Sequence, residues 1–291
     1  MALVPGGRGK LVLKVDMLVE GTDMPRSMTY RQAARKAVAM CVSDFAAKGV
    51  RPTAFMASVG LRRGTTMSSV KDLARGFRDA EDEWGVPLVG GDTNESKELV
   101  VDCAMAGFAE RATARSGARR GDLLVCTGDF GLEPSGIAIL NGGAKSSPAY
   151  RARAVRRVLT PTPDLRLGLA LAPLLTASMD SSDGLARSVH TLSAASAVGF
   201  ELETLPAAPG VQAFARANGL DAKRLVLGGG EEYCIVGTVP RRRLAAAQAA
   251  AEGAGGRLRI IGRAAGSAGA VLLREGKDWV PVRNEGWTHL G

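Results

Sequence analysis

From Lys10 to Ala109 the hydrophobic period switches repeatedly between two and 3.6, which restricts the chain to a mixed α/β fold. KLVLKVDMLV alternates as a strand and brings Asp16 to its end. From Thr29 to Gly49 the pattern is helical: Ala34, Val38, Cys41, Val42 and Phe45 share a face, and Gly49 suits a C-cap. PTAFMASVGL reads as a second strand. VKDLARGFRDAEDEW reads as a second helix, with Val70, Leu73, Phe77 and Trp84 on its buried stripe. The short strand VPLV then leads through a Gly-Gly-Asp turn into the strand ELVVDCAMAGFA.

The rest of the chain mixes the same ingredients. DLLVCTGDFG is a buried strand running into a glycine loop, SGIAIL and LRLGLALAPLL are helical, NGGAKSSPAY is loop, and RLRIIGRAAG is a strand. The apolar-poor stretch RATARSGARRG is a domain junction, giving expected domains at residues 1–112 and 118–291. No 20–50-residue repeat points to a solenoid.

Composition narrows the chemistry. Among 291 residues there are two histidines, which excludes a histidine-rich metal site. Cys41, Cys103, Cys126 and Cys234 are far apart and sit in apolar runs, the pattern of buried thiols in a reducing compartment. No apolar run approaches the ~18 residues of a membrane span, and the opening lacks a signal-peptide core, so a cytoplasmic protein is expected. The net charge of +9 suits polyanionic substrates as well as nucleic acid. Yet the basic clusters RARAVRR and RRR hold no aromatic residue for base stacking, so they read as solvated helix surface and no nucleic-acid partner is expected.

Four acidic motifs share one layout, in which an apolar element delivers a carboxylate. They are Asp16 in a strand, Asp44 at the border of the first helix's apolar stripe, Asp92 after two glycines, and Asp180 with Asp183 in DSSDG. Taken singly, Ser182 and Asp183 read equally as N-caps, and Asp92 as a turn former. Asp16 is harder to dismiss, because a lone buried carboxylate is costly unless paired. Together they describe an oxygen-ligand site for a hard cation such as magnesium. VGGD, TGDFG and LGGGEE add backbone N–H groups that suit an anion. Neither G-x-x-x-x-G-K-[ST] nor G-x-G-x-x-G occurs, so a P-loop and a dinucleotide site are unsupported.

VDMLVEGTDMP, VSDFAAKGVRP, LVGGDT, RSGARRGDLLVCTGDFG, MDSSDGLARSVHTLSAASAVG, LGGGEEYCIV and GWTHL follow one another as in the thiamine-monophosphate kinase family. That family lies in the superfamily of aminoimidazole ribonucleotide synthetase and selenophosphate synthetase, and the resemblance spans nearly the whole chain. It implies a two-domain α/β homodimer whose N-terminal sheets pair across the two-fold. It also implies transfer of the ATP γ-phosphate to thiamine monophosphate with several Mg²⁺ ions. By the same resemblance, Asp16, Asp44, Asp92, Asp180 and Asp183 hold metal, while Gly91, Asp92, Arg115 and Ser182 touch ATP. Asp23, Glu231, Glu232 and Trp287 fall at substrate positions, with Trp287 suited to stacking on a flat cationic ring. The N-terminal domain would bind ATP and magnesium and form the dimer, and the C-terminal domain would add substrate and nucleotide contacts.

Three departures stand out. The family carries a Gly-Asp-Asp-Ala-Ala motif before the first strand, where this sequence opens with MALVPGG. Asp23 replaces a histidine frequent in the family, and Glu231-Glu232 replaces a Glu-Asp pair. Two alternatives follow: another ATP-dependent enzyme of the superfamily, or a truncated, non-catalytic nucleotide-binding homologue.

Overall fold

A computed structural model describes residues 9–287. The opening MALVPGGR and the last four residues of GWTHLG, and with them the motif departure at the chain start, lie outside the described residues. The first sheet has the order β1-β4-β2-β3, built from β1 (Lys10–Val19), β2 (Pro52–Arg62), β3 (Leu88–Ser96) and β4 (Val100–Ala109). β1 leads into the one-turn helix α1 (Glu20–Asp23); the sheet's inner face packs on α2 (Tyr30–Lys48), and α3 (Met67–Trp84) packs on α2 in turn.

Thr29 and Gln32 close a capping box at the start of α2, and Gly49 ends it at φ 65° in the left-handed region. The sequence pattern gives this helix a single apolar stripe, but the structure buries it nearly all round, including Arg35 and Lys36. The reason is its position: α2 also meets α6 (Leu165–Leu171) and β6 (Ala177–Asp180) of the second half, so both faces are covered. Small residues such as Ala33, Ala37 and Ala46 let the neighbours approach on both sides. Burial of Phe45, Phe55 and Leu18 in this core contributes about 1.5–3 kcal/mol each.

The second sheet runs β11-β10-β7-β9-β5-β8-β6. It adds β5 (Leu123–Cys126), β7 (Phe200–Leu202), β8 (Ile235–Val239), β9 (Arg259–Ala264), β10 (Val271–Glu275) and β11 (Asp278–Pro281). Against it lie α4 (Leu132–Gly142), α5 (Pro148–Leu159) and α7 (Leu185–Ser196), around a core of Phe130, Ile139, Leu185, Leu192 and Phe200. All four cysteines are buried and free, as expected. Among the described residues no helix is long and apolar enough to cross a membrane.

Three local expectations need correction. β1 does not end near Asp16 but continues to Val19, because Leu18 fills the core and Val19 still pairs with Val100. The Gly-Gly-Asp segment is not a turn: β3 runs through it, pairing parallel with β2. An extra residue accumulates there, since Phe55 and Ala57 of β2 face Leu88 and Gly91 of β3, the signature of a bulge. A Cβ on Gly91 would sit 2.0 Å from the Ala57 carbonyl oxygen, so this glycine serves close strand approach. The segment NGGAKSSPAY is loop only over 143–147, because Ser147 caps α5 and Pro148 occupies its first turn.

Candidate active site

Three segments far apart in sequence converge where the halves meet. The DSSDG loop lies along GGGEEY: the Glu231 N–H donates to the Ser182 carbonyl at 2.6 Å, and the Tyr233 N–H to that of Ser181 at 3.0 Å. The Trp287 N–H donates to the Asp183 carbonyl at 3.1 Å. Glu231 and Tyr233 both take left-handed backbone conformations, φ 57° and 50°, uncommon without glycine and the kind of strain concentrated at functional sites. Ser182 and Asp183 are not N-caps here: Gly184 occupies that position of α7, with no side-chain cap bond.

A cavity of about 420 Å³ opens beside this junction. Asp23, Met24, Met40, Ser182, Asp183, Glu231, Tyr233 and Trp287 contribute to its lining. The expected substrate residues Asp23, Glu231 and Trp287 are therefore brought together, with Trp287 half-exposed at the site. Met24, Pro25, Met40, Ile137 and Trp287 give the cavity apolar surface, and Asp23, Glu133, Asp183 and Glu231 give it carboxyl groups, a combination that suits an organic ring carrying positive charge. Glu232, expected beside them, does not line the cavity. Its carboxylate is fully buried, accepts from the Gly131 N–H at 2.5 Å at the start of α4, and pairs with Arg157 at 3.4 Å. Alternation along the strained loop points it the other way, where it neutralises the positive end of α4.

Sequence reasoning missed Lys36 and Glu133. Lys36 is wholly buried, yet its ammonium reaches Glu231 at 2.7 Å and the Asp23 carbonyl at 2.9 Å, tying two cavity residues to α2. Glu133, on the first turn of α4, lines the same cavity as Glu231. Burial, then the neighbouring carboxylates of Glu231 and Glu232, hold its carboxyl well above the usual range. The one sequence signal was an acidic residue just after a glycine loop.

The other end of the DSSDG loop enters a charged cluster. Lys14 on β1 lies 2.6 Å from Asp44 and 3.1 Å from Asp16, so the carboxylate that looked unpaired has a partner two residues away. Burial works against the Lys14 charge, but Asp44 and then Asp16 outweigh it and raise the pKa. Burial also raises Asp16, with Lys14 opposing and Asp44 and Asp102 adding to it. Asp180 is buried, accepts from the Ser43 hydroxyl at 2.9 Å, and is pushed up to about 7 by burial and then by Asp44. Lys48 is drawn down to about 8 by burial and then by Arg115, which places the expected ATP-binding arginine at this end too.

Asp92 stands apart. It is exposed on the edge strand β3, opposite Ser58, which lies opposite Asp102, which faces Met17. Cross-strand neighbours share a face, so Asp92 projects on the side away from Asp16. Asp183 likewise belongs to the cavity and not to the Lys14 cluster. Among the described residues no three acidic, histidine or cysteine side chains close on one point as a ready metal cage. The donor chemistry of Asp16, Asp44 and Asp180 nonetheless fits a hard cation: all are oxygen ligands, and their mutual repulsion shows in Asp180.

Residues 1–109 match AIR synthase related protein, N-terminal domain, and residues 119–273 match AIR synthase related protein, C-terminal domain. The thiamine-monophosphate kinase of Nitrosopumilus maritimus is 36% identical over 280 residues, covering 96% of this chain and 89% of that protein. That of Pyrococcus horikoshii is 31% identical over 283 residues, covering 96% and 86%. The solved structure of AaThiL complexed with AMPPCP and TMP superposes with a TM-score of 0.84 at 27% identity, covering 96% of this chain and 87% of that one. The chain belongs to the AIR synthase-related family and, within it, to the thiamine-monophosphate kinases.

Proposed function

We propose that the chain binds thiamine monophosphate in the cavity lined by Asp23, Glu231 and Trp287 and phosphorylates it with ATP along the DSSDG loop. The observation that carries this reading is the loop itself. One end, Ser182 and Asp183, lines an organic-ring cavity, and the other, Asp180, enters a charged cluster suited to phosphates. The relative solved with AMPPCP and TMP supports the same pair of substrates.

The acceptor is a phosphate monoester, anionic near neutral pH, so no side-chain nucleophile is needed. Positioning and charge carry the reaction. Trp287 stacks on the thiazolium, a cation–π contact of about 1–2 kcal/mol when desolvated. Glu231, fixed by Lys36, places carboxylate charge beside the same cationic ring. Arg115 and Lys48 meet phosphate oxygens, and the N–H groups around Gly91 approach the nucleotide. Asp16, Asp44 and Asp180 would hold Mg²⁺, while Asp92, on the other face of its sheet, and Asp183, in the cavity, lie outside that cluster. The chemistry Mg²⁺ supplies when bound is neutralisation of two polyanions that otherwise repel.

The outer face of β1 supports a homodimer. Leu11, Leu13, Val15 and Met17 are 54–68% exposed in a single row, joined by Met56 on β2, too apolar a surface to face water alone. The free thiols support a reducing, cytoplasmic setting.

The test is ADP release from the full chain with thiamine monophosphate, run beside other superfamily substrates. Turnover restricted to thiamine monophosphate is expected; preference for another substrate, or none, overturns the reading.

A further inference from the structure

Lys14 and Asp16 lie two residues apart on β1 and so share one face of the strand, the face that meets Asp44 of α2. The Lys14 ammonium is 3.1 Å from Asp16 Oδ1 and 2.6 Å from Asp44 Oδ2, so one side-chain cation bridges carboxylates from two elements. The neighbouring Lys48 is held differently: its ammonium takes a backbone carbonyl, that of Ser178, at 2.5 Å. Lys14 therefore occupies carboxylate oxygens in this cluster, and Lys48 adds only its charge.

Mg²⁺ takes carboxylate oxygens at about 2.0–2.1 Å. An ion at that distance from Asp16 Oδ1 or Asp44 Oδ2 would stand within about 5 Å of the ammonium, where the two positive charges repel and draw on the same lone pairs. Lys14 is able to yield, because its side chain is 29% exposed and its flexible four-carbon stem can carry the ammonium to water. Building on the reading that Asp16, Asp44 and Asp180 hold Mg²⁺, we propose that Lys14 is an internal cation that competes with the divalent ion for Asp16 and Asp44, and so sets how tightly the site takes metal. An ammonium that leaves these carboxylates loses two anionic partners, a loss that the phosphates of ATP offset. Lys14 thereby couples metal loading to nucleotide binding.

Mn²⁺, which accepts the same oxygen donors, reports the competition by calorimetric titration of the chelator-treated full chain without nucleotide. Lys14→Met keeps the stem and removes the charge, and its Kd for Mn²⁺ is expected to fall at least about tenfold below that of wild type. Lys48→Met removes a like charge from the same cluster but frees no carboxylate oxygen, so its Kd is expected to stay within about threefold. With a non-hydrolysable ATP analogue present, the gap between Lys14→Met and wild type is expected to close to within about threefold. Thermal unfolding gives a second readout. Without metal, Lys14→Met is expected to melt below wild type, because Asp16 and Asp44 then lack their shared cation, and saturating Mn²⁺ is expected to raise its Tm by more than that of wild type. If the methionine variant does not fold, Lys14→Gln, with a neutral polar end, carries the same titration. An unchanged Kd in Lys14→Met, or equal tightening in Lys48→Met, overturns the competition, and a gap that persists with the ATP analogue overturns the coupling to nucleotide. Mn²⁺ bound by neither wild type nor variant would instead overturn the metal reading of Asp16, Asp44 and Asp180 beneath it.

Discussion

Lys36→Met tests whether the cavity wall is held electrostatically. Methionine matches the lysine stem and suits the buried middle of α2, so helix propensity and packing change little. What disappears is the ammonium that sits 2.7 Å from Glu231 and 2.9 Å from the Asp23 carbonyl. Removing one partner of a fully buried ion pair costs about 3–5 kcal/mol, because the other charge is stranded. Glu231 keeps 26% side-chain exposure, so water partly solvates the stranded carboxylate and the expected loss falls to about 2–3 kcal/mol. Urea unfolding at neutral pH measures it, through a lower midpoint at constant m-value. One control identifies the cause. Adding Glu231→Gln should return at least about 1 kcal/mol, because the stranded charge is then gone. A loss below about 1 kcal/mol at neutral pH, or a double variant no more stable than Lys36→Met, would refute the argument.

Asp92→Asn should leave thermal unfolding within about 2 °C of wild type and kcat/KM within about threefold, because Asp92 is exposed on an edge strand and projects away from Asp16; a hundredfold fall in kcat/KM would return this residue to the nucleotide site. Gly91→Ala should cost about 2–4 kcal/mol in a urea titration, since its Cβ meets the Ala57 carbonyl at 2.0 Å and backbone must move; a neutral result would mean the bulge is pliable. Leu13→Arg with Val15→Glu should yield monomer in light scattering with the fold retained, the two residues being 68% and 58% exposed; an unchanged mass would show that β1 is not the dimer face. Glu133→Gln should change how stability depends on pH. The folded-state pKa of Glu133 lies above its unfolded value near 4.5, so the native state binds the extra proton. Wild-type stability therefore falls as pH rises from that value toward the folded pKa, and the glutamine variant should lose that part of the slope; parallel profiles would show that Glu133 is ionised in the fold.

How far the sequence could be read depended on whether a residue's environment is made locally. β1, β2 and α3 were legible because their periodicity is set by one buried face, and Phe77 and Trp84 do line that face of α3. Lys36 was not legible, because a lysine in a helix reads as surface until a second sheet closes over it, and that sheet begins some ninety residues later. The same second contact turned the stripe of α2 into burial all round. Asp92 looked like a turn because glycine pairs usually mark turns. Here they mark close strand approach, a tertiary property that no window of neighbours contains. Asp23, Glu231 and Trp287 have nothing in common in local pattern, and only resemblance put them in one site; the fold then brought them to one cavity for a reason the chain makes visible. The Ser182 and Asp183 carbonyls accept from Glu231 and Trp287, so one loop ties the GGGEEY turn and the C-terminal segment to the end of β6. That loop joins the ring cavity to the charged cluster. A change in its length should therefore separate the two functions, weakening transfer more than the binding of either substrate, which independent sites would not do.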